Sequence, residues 1–476
     1  MNPDLQTIVD TLTGLVGDAG IRTDSDALAR YGSDWTRFIT PNPCAVVLPA
    51  NTGEVQQIVR QANLLGFSLV PSGGRTGLSG GAVAATGEVV IAFDRMNRIL
   101  DFNPVDRQVV CEAGVVTGRL QEYAVEQGLY YPVNFASAGS SQIGGNAATN
   151  AGGIKVIRYG LTRNWVKGIK VVTGKGDLLD CNRGLTKNAT GYDFRHLFVG
   201  SEGTLGLIVE VTIELTTPPR DPTVLLLGLK DLDAAMPVLQ QFRRKLQLNA
   251  FEFFSEKALA HVLEEKKLQR PFESVCDFYA LLEFDNDGGQ TLDIAMAEFE
   301  AGMEAGWILD GTMSQSGSQA ATLWRLREDI SETISRFTPY KNDIAVKVSR
   351  VPELLREVDA VVAEKYPDFE IIWFGHIGDG NVHLNILKPA GLSVDAFYHR
   401  CGTVSEGVFD IVKRLGGSIS AEHGVGLLKK PFLPYSRDPL EIEYMRALKK
   451  VFDPGNVLNP GKIFDSVGEL RPGFPR

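Results

Sequence analysis

Short apolar runs and helical spacings alternate through the first part of the chain. Ala45-Val46-Val47-Leu48, Phe67-Ser68-Leu69-Val70 and Val89-Val90-Ile91-Ala92-Phe93 read as strands. The spacing over about 54–65 predicts a helix, with Asn51 as its N-cap and Glu54 as the capping-box partner. The scheme repeats with a strand near 108–113 and a helix near 117–127. Pro218, Pro219 and Pro222 then follow a long strand pattern and mark a boundary. Beyond it the amphipathic helices lengthen, over about 232–246, 291–304 and 321–336, between strands near 224–229 and 278–284. A charged amphipathic helix spans 438–453. The pattern is that of an α+β or α/β protein.

At 476 residues the chain is too long for one ordinary core, and two or three domains are expected. Its 44% hydrophobic and 22% charged residues are those of a soluble globular protein. A net charge of −10 argues against non-specific binding to nucleic acid or anionic membranes. No run approaches a membrane span, and the N-terminus shows no secretory pattern. Five scattered cysteines form no disulfide framework, which fits a cytoplasmic location.

Glycine is concentrated in a few stretches. Pro71-Ser72-Gly73-Gly74-Arg75-Thr76-Gly77-Leu78-Ser79-Gly80-Gly81 follows a strand and can turn backbone amides toward a pyrophosphate. It is neither a Rossmann nor a Walker pattern. Ser137-Ala138-Gly139-Ser140-Ser141-Gln142-Ile143-Gly144-Gly145-Asn146-Ala147-Ala148-Thr149-Asn150-Ala151-Gly152-Gly153 has few bulky side chains. It suits a large flat ligand lying against backbone. Together the loops point to a nucleotide cofactor.

Two of six histidines flank an Asp-Gly turn signal in His376-Ile377-Gly378-Asp379-Gly380-Asn381-Val382-His383. With Asp379-Gly380 as a two-residue loop, Gly378 pairs with Asn381, Ile377 with Val382 and His376 with His383. Facing residues then lie about 5 Å apart, close enough to share a metal. Asn385 falls on the same face. Glu422, in Ser420-Ala421-Glu422-His423-Gly424, would complete a His₂Glu set, leaving His423 as a base. This ligand set serves zinc, and equally manganese, iron or cobalt. Arg327 and Ser331, four apart on a predicted helix, can grip a carboxylate, and Lys341 adds a second cation.

The glycine loops, with Lys187-Asn188-Ala189-Thr190-Gly191-Tyr192-Asp193 and Gly200-Ser201-Glu202-Gly203-Thr204-Leu205-Gly206-Leu207-Ile208, resemble the FAD-binding domain of the vanillyl-alcohol oxidase, or PCMH-type, flavoprotein superfamily. The resemblance implies a two-subdomain FAD-binding domain over 1–218. It implies an α+β substrate- and metal-binding domain with an antiparallel sheet over 219–430. A C-terminal segment, 431–476, would pack back on the FAD domain. The implied cofactor set is Pro71, Gly73, Gly74, Arg75, Thr76, Gly77, Leu78 and Ser79 from the first loop. Ser137, Gly139, Ser140, Gly144, Gly145, Asn146, Thr149, Asn150 and Gly152 join from the second. Glu202, Gly203, Ile208 and Asn459 complete it. Neither loop holds a histidine or cysteine, so the FAD is expected to be non-covalent. Arg75 stands where many relatives carry asparagine.

Over nearly the whole chain the motifs are similar to those of FAD-dependent D-2-hydroxyacid dehydrogenases of this superfamily. That similarity implies oxidation of a D-2-hydroxy dicarboxylate, 2-hydroxyglutarate first and malate next, to the 2-oxo acid. Arg327, Ser331 and Lys341 would hold the distal carboxylate. Asn385 would contact substrate, and His423 would contact it as the base. A metal on His376, His383 and Glu422 would polarise the C2 hydroxyl while hydride passes to flavin N5. Electron-transferring flavoprotein is the implied acceptor, and a homodimer is compatible. The competing readings are a D-lactate or glycolate dehydrogenase, a flavin-free metal-dependent hydrolase and a nucleotide-binding module.

Overall fold

Three sheets organise residues 4–36 and 39–465, the part of the chain that the computed structural model describes. The polypeptide divides into two units. One takes the chain up to Gly152, Leu161–Pro218 and the chain from Glu422, and the other takes Gly153–Gly160 and Pro219–Ala421.

The first unit begins with β1 (Ile21–Arg22), β2 (Ala45–Val47), β3 (Leu69–Ser72) and β4 (Val89–Ala92), in the order β1-β2-β4-β3. β2 and β3 both run parallel to β4. Parallel strands need a crossover, and the helix Thr52–Leu65 supplies it. Asn51 caps this helix by accepting from the Glu54 N–H at 3.0 Å, worth about 1 kcal/mol. The Glu54 side chain binds the Ala50 N–H instead of that of the capping residue. Val55, Ile58, Val59 and Ala62 form the buried stripe.

A second sheet in this unit contains β5 (Ile99–Asn103), β6 (Gln108–Glu112), β7 (Val166–Thr173), β8 (Leu178–Cys181) and β9 (Gly206–Glu214). It is antiparallel, with β9 central in the order β5-β6-β9-β7-β8. Leu120 and Ala124 of helix Thr117–Glu126 and Ile143 and Ala147 of helix Ile143–Thr149 share its core. The returning C-terminal segment joins this unit through Leu69, which donates to the Val457 carbonyl and accepts from the Asn459 N–H, both at 2.7 Å.

The second unit is built on a seven-stranded antiparallel sheet. Its strands are β10 (Pro222–Leu229), β11 (Leu248–Ser255), β12 (Phe278–Asp285), β13 (Ile308–Met313), β14 (Tyr340–Ala345), β15 (Ile371–Gly375) and β16 (Asn381–Ile386). Their order is β13-β10-β12-β11-β15-β16-β14. β10 and β11 are buried almost without interruption, as strands covered on both faces are. The α+β class expected above is what forms. The helix expected over 321–336 is instead two, Gly317–Glu328 and Ile330–Ile334. Asp329 between them, at ψ −8°, tightens the chain locally. Among the described residues no helix is long and apolar enough to cross a membrane.

Candidate active site

In the first unit a cleft is lined largely by small residues, among them eight glycines and three alanines. Residues from 71 to 82 form one side, and helix Ile143–Thr149 with the start of β9 forms the other. The two glycine-rich loops touch: a Cβ at Gly74 would stand 2.2 Å from the Ser140 carbonyl oxygen. Only glycine permits that approach.

Of the implied cofactor set, Pro71, Gly73, Gly74, Arg75, Thr76, Gly77, Ser79, Gly144, Gly145, Asn146, Thr149, Glu202, Gly203 and Ile208 line this cleft. Leu78, Ser137, Gly139, Ser140, Asn150, Gly152 and Asn459 are not part of its lining. Ser140 backs Gly74, and Asn459 donates from Nδ2 to the carbonyls of Gly81 and Glu202. Arg75 curls back. Its Nη1 donates to the Gly73 carbonyl at 2.8 Å and lies 3.5 Å from Asp94, and its guanidinium covers the Tyr31 ring. Gln142, absent from the implied set, donates from Nε2 to Asp94 while its buried Oε1 has no hydrogen-bond partner. A buried acceptor left open beside a glycine-walled cleft suits the N–H of a bound flavin. The open acceptor and the small lining residues therefore fit FAD.

His423 lines the same cleft. Its loop is clamped from two sides. The Glu202 carboxylate accepts from the N–H groups of Val425 at 2.7 Å and Gly426 at 2.8 Å. Ser79 Oγ donates to the Gly424 carbonyl at 3.0 Å. A Cβ at Gly426, where φ is +51°, would meet the Ser79 carbonyl oxygen at 2.1 Å. Burial pushes the Glu202 carboxyl up, and the two backbone N–H groups oppose this by favouring the carboxylate. Glu202→Gln keeps the volume but turns one acceptor into a donor facing an N–H. Losing such a bond costs about 1–3 kcal/mol. The expected result is a fall in kcat of roughly tenfold with FAD retained, checked by steady-state kinetics and flavin absorbance.

In the second unit β16 lies between β14 and β15. Lys341 stands opposite Asn385, and Asp343 opposite His383. Across β15, Phe374 stands opposite His383. The expected two-residue hairpin does not form, and Gly378, Ile377 and His376 do not take the expected partners. β15 ends at Gly375, and the turn through Gly380 has the Asp379 and Gly380 N–H groups on the His376 carbonyl. The physical reason is tertiary. Gly378 donates its N–H to the Phe251 carbonyl of β11 at 2.9 Å, which draws the turn onto the neighbouring strand. The register moves by two residues, an even number, so the faces are conserved. The imidazoles of His376 and His383 still meet edge to face at 5.4 Å.

Each imidazole has a carboxylate behind it. Glu252 lies 2.8 Å from His376 Nδ1, and Asp343 lies 3.6 Å from His383 Nδ1. Asp343 also accepts from Asn381 Nδ2 at 2.9 Å. With Nδ1 facing a carboxylate, Nε2 lies on the opposite edge of each ring. Arg327 is buried, its Nη2 2.9 Å from Glu252 and its guanidinium over the Phe374 ring, while Nε has no hydrogen-bond partner. Lys341 Nζ donates to Ser331 Oγ at 3.3 Å. Asn385 is 1% exposed, and its Nδ2 is also without a partner. Ala421, the last residue of this unit, donates to the Asp343 carbonyl at 3.3 Å. Glu422 follows it in the chain and belongs to the first unit, where its carboxylate lies against Gly152.

Glu252, Asp343, Phe374 and Gln142 escaped the sequence reading. One signal was available, since Glu252 is a lone charge in Phe251-Glu252-Phe253-Phe254, on a strand that reads as buried.

The family matches define an FAD-linked oxidoreductase, and its fold is that of PCMH-type flavoproteins. Residues 43–182 match the FAD binding domain, and 218–463 match the family of FAD linked oxidases, C-terminal domain. 4-Ethylphenol oxidase from Gulosibacter chungangensis shares the fold with a TM-score of 0.76, at 17% identity over 98% of each chain. p-Cresol methylhydroxylase does so with a TM-score of 0.74, at 14% identity over 98% of this chain and 97% of that one. A D-2-hydroxyglutarate dehydrogenase of Stutzerimonas stutzeri (strain A1501) is 60% identical over 457 residues, 96% of this chain and 98% of the relative. That of Xanthomonas citri pv. viticola is 52% identical over 94% of each. The mitochondrial one of Bos taurus is 35% identical over 93% of this chain and 80% of the relative. The chain belongs to the D-2-hydroxyglutarate dehydrogenase family of FAD-dependent dehydrogenases.

Proposed function

We propose that this enzyme oxidises D-2-hydroxyglutarate to 2-oxoglutarate, and D-malate less readily, with non-covalent FAD and a divalent metal such as zinc. The observation that carries this reading is the polar set of Arg327, Ser331, Lys341 and Asn385 around paired imidazoles on a largely apolar sheet. Bound FAD would take up the C2 hydride, and a bound metal would act as a Lewis acid on the hydroxyl oxygen. His376 and His383 would hold the metal through Nε2. Glu422 would be the third ligand, supported by its place one residue after Ala421, which is bonded to Asp343. His423 would take the C2 hydroxyl proton, a role supported by its position on the cofactor cleft. Arg327, Lys341 and Ser331 would grip the distal carboxylate, and Asn385 would orient the substrate. Electron-transferring flavoprotein would reoxidise the flavin.

Anaerobic addition of D-2-hydroxyglutarate should bleach the oxidised flavin band, and an unbleached band would end the substrate assignment. In Arg327→Ala, loss of a charged hydrogen-bonding group worth about 1.5–3 kcal/mol should lower kcat/KM for D-2-hydroxyglutarate by about 10- to 150-fold. D-Lactate, which has no distal carboxylate, should be little affected. Equal losses on both substrates would remove Arg327 from the distal pocket.

A further inference from the structure

We infer that Glu252 is a positioning residue that ties the metal-holding imidazole of His376 to the substrate-gripping guanidinium of Arg327. This rests on the metal and substrate roles proposed above for those two residues.

Glu252 sits on β11 with 1% of its surface exposed, in a strand whose residues are all buried. A carboxylate that deep is costly unless it is paired. Its partners are both site residues: both of its oxygens lie 2.8 Å from His376 Nδ1, and Oε2 lies 2.9 Å from Arg327 Nη2. The two partners come from different elements, the turn after β15 and helix Gly317–Glu328. One carboxylate therefore performs two tasks. It holds the Nδ1 proton of His376, which fixes the tautomer that offers Nε2 to a metal. It also occupies one edge of the guanidinium, leaving the unpartnered Nε of Arg327 for another acceptor. The Phe374 ring lies under the Arg327 guanidinium at 4.8 Å, and 5.0 Å from the ring of His383, the neighbour of His376. Metal affinity and dicarboxylate selectivity should consequently depend on the same side chain. Glutamine is nearly isosteric but carries no charge, and whichever way it is turned its amide NH₂ falls 2.8 Å from His376 Nδ1, facing the proton that the carboxylate holds.

The experiment uses FAD-loaded protein stripped of metal with a chelator and titrated with Zn²⁺. Glu252→Gln should weaken Zn²⁺ binding by about 10- to 100-fold. It should also raise KM for D-2-hydroxyglutarate more than KM for D-lactate, with one FAD per chain retained. A carboxylate with only a structural role would move neither the Zn²⁺ affinity nor the KM ratio while FAD stays bound, and that result would overturn the inference. If Glu252→Gln loses FAD, Glu252→Asp undergoes the same two measurements with the same expected directions. Unmodified protein and His376→Ala run alongside. Zn²⁺ binding of equal strength in these two would overturn the metal reading itself, and the role of Glu252 with it. Tight binding in the unmodified protein, lost in His376→Ala but unchanged in Glu252→Gln, would overturn the Glu252 inference alone.

Discussion

Replacement of His423 by Asn should slow turnover steeply while FAD and metal remain bound. The cleft that fits FAD is built from the 71–82 loop, helix Ile143–Thr149 and β9, and His423 contributes only one point of its wall. The loop backbone is held by Glu202 and Ser79 through Val425, Gly426 and Gly424, none of which involves the imidazole. The substitution should therefore leave these backbone bonds in place while removing the proposed proton acceptor. A positioned general base contributes about 10²–10⁴-fold. The expected result is a fall of that size in the rate of flavin reduction by D-2-hydroxyglutarate, followed by rapid-mixing absorbance. FAD and metal content should match those of the unmodified enzyme. A reduction rate unchanged by the substitution would take the base role away from His423.

The second large effect concerns the metal. His376→Ala and His383→Ala should each strip the bound divalent ion without displacing FAD, because the flavin cleft is composed wholly of residues of the first unit and both histidines belong to the second. On the ligand set proposed above, each variant removes a ligand atom outright. The loss of affinity should therefore exceed the roughly 10–100-fold that follows removal of a residue which only orients a ligand. Metal analysis after dialysis against a chelator, alongside flavin absorbance, reads both quantities. The two variants should differ in stability. His376→Ala leaves the buried Glu252 with Arg327 as its remaining partner. His383→Ala leaves Asp343 still bonded to Asn381. Retention of the full metal complement in either variant would remove that histidine from the ligand set.

Much of this architecture was legible in one dimension. The stripe Val55, Ile58, Val59, Ala62 follows the helical period, and β2 and β4 are short apolar runs buried along their whole length. Such patterns survive folding because burial of apolar surface dominates the choice of element. The glycine loops were legible for a different reason. A wall made of small residues requires the absence of bulky side chains, and absence is visible in a sequence. The helix over 321–336 was misjudged because its period continues through Asp329, where the backbone tightens for reasons that period does not carry.

The sequence by itself determined the mixture of helices and strands, α+β or α/β, the glycine-lined loops and the set of histidines, cations and carboxylates available for chemistry. It did so because periodicity, glycine content and residue type are local properties. Only the tertiary structure decided the hairpin register, which a hydrogen bond from Gly378 to Phe251 sets across 127 positions of chain. Only it showed Glu252 joining His376 to Arg327, and Glu202 holding the loop of His423 through Val425 and Gly426. These are pairings between residues far apart in the chain, and a buried carboxylate takes its role from the partners that folding brings to it.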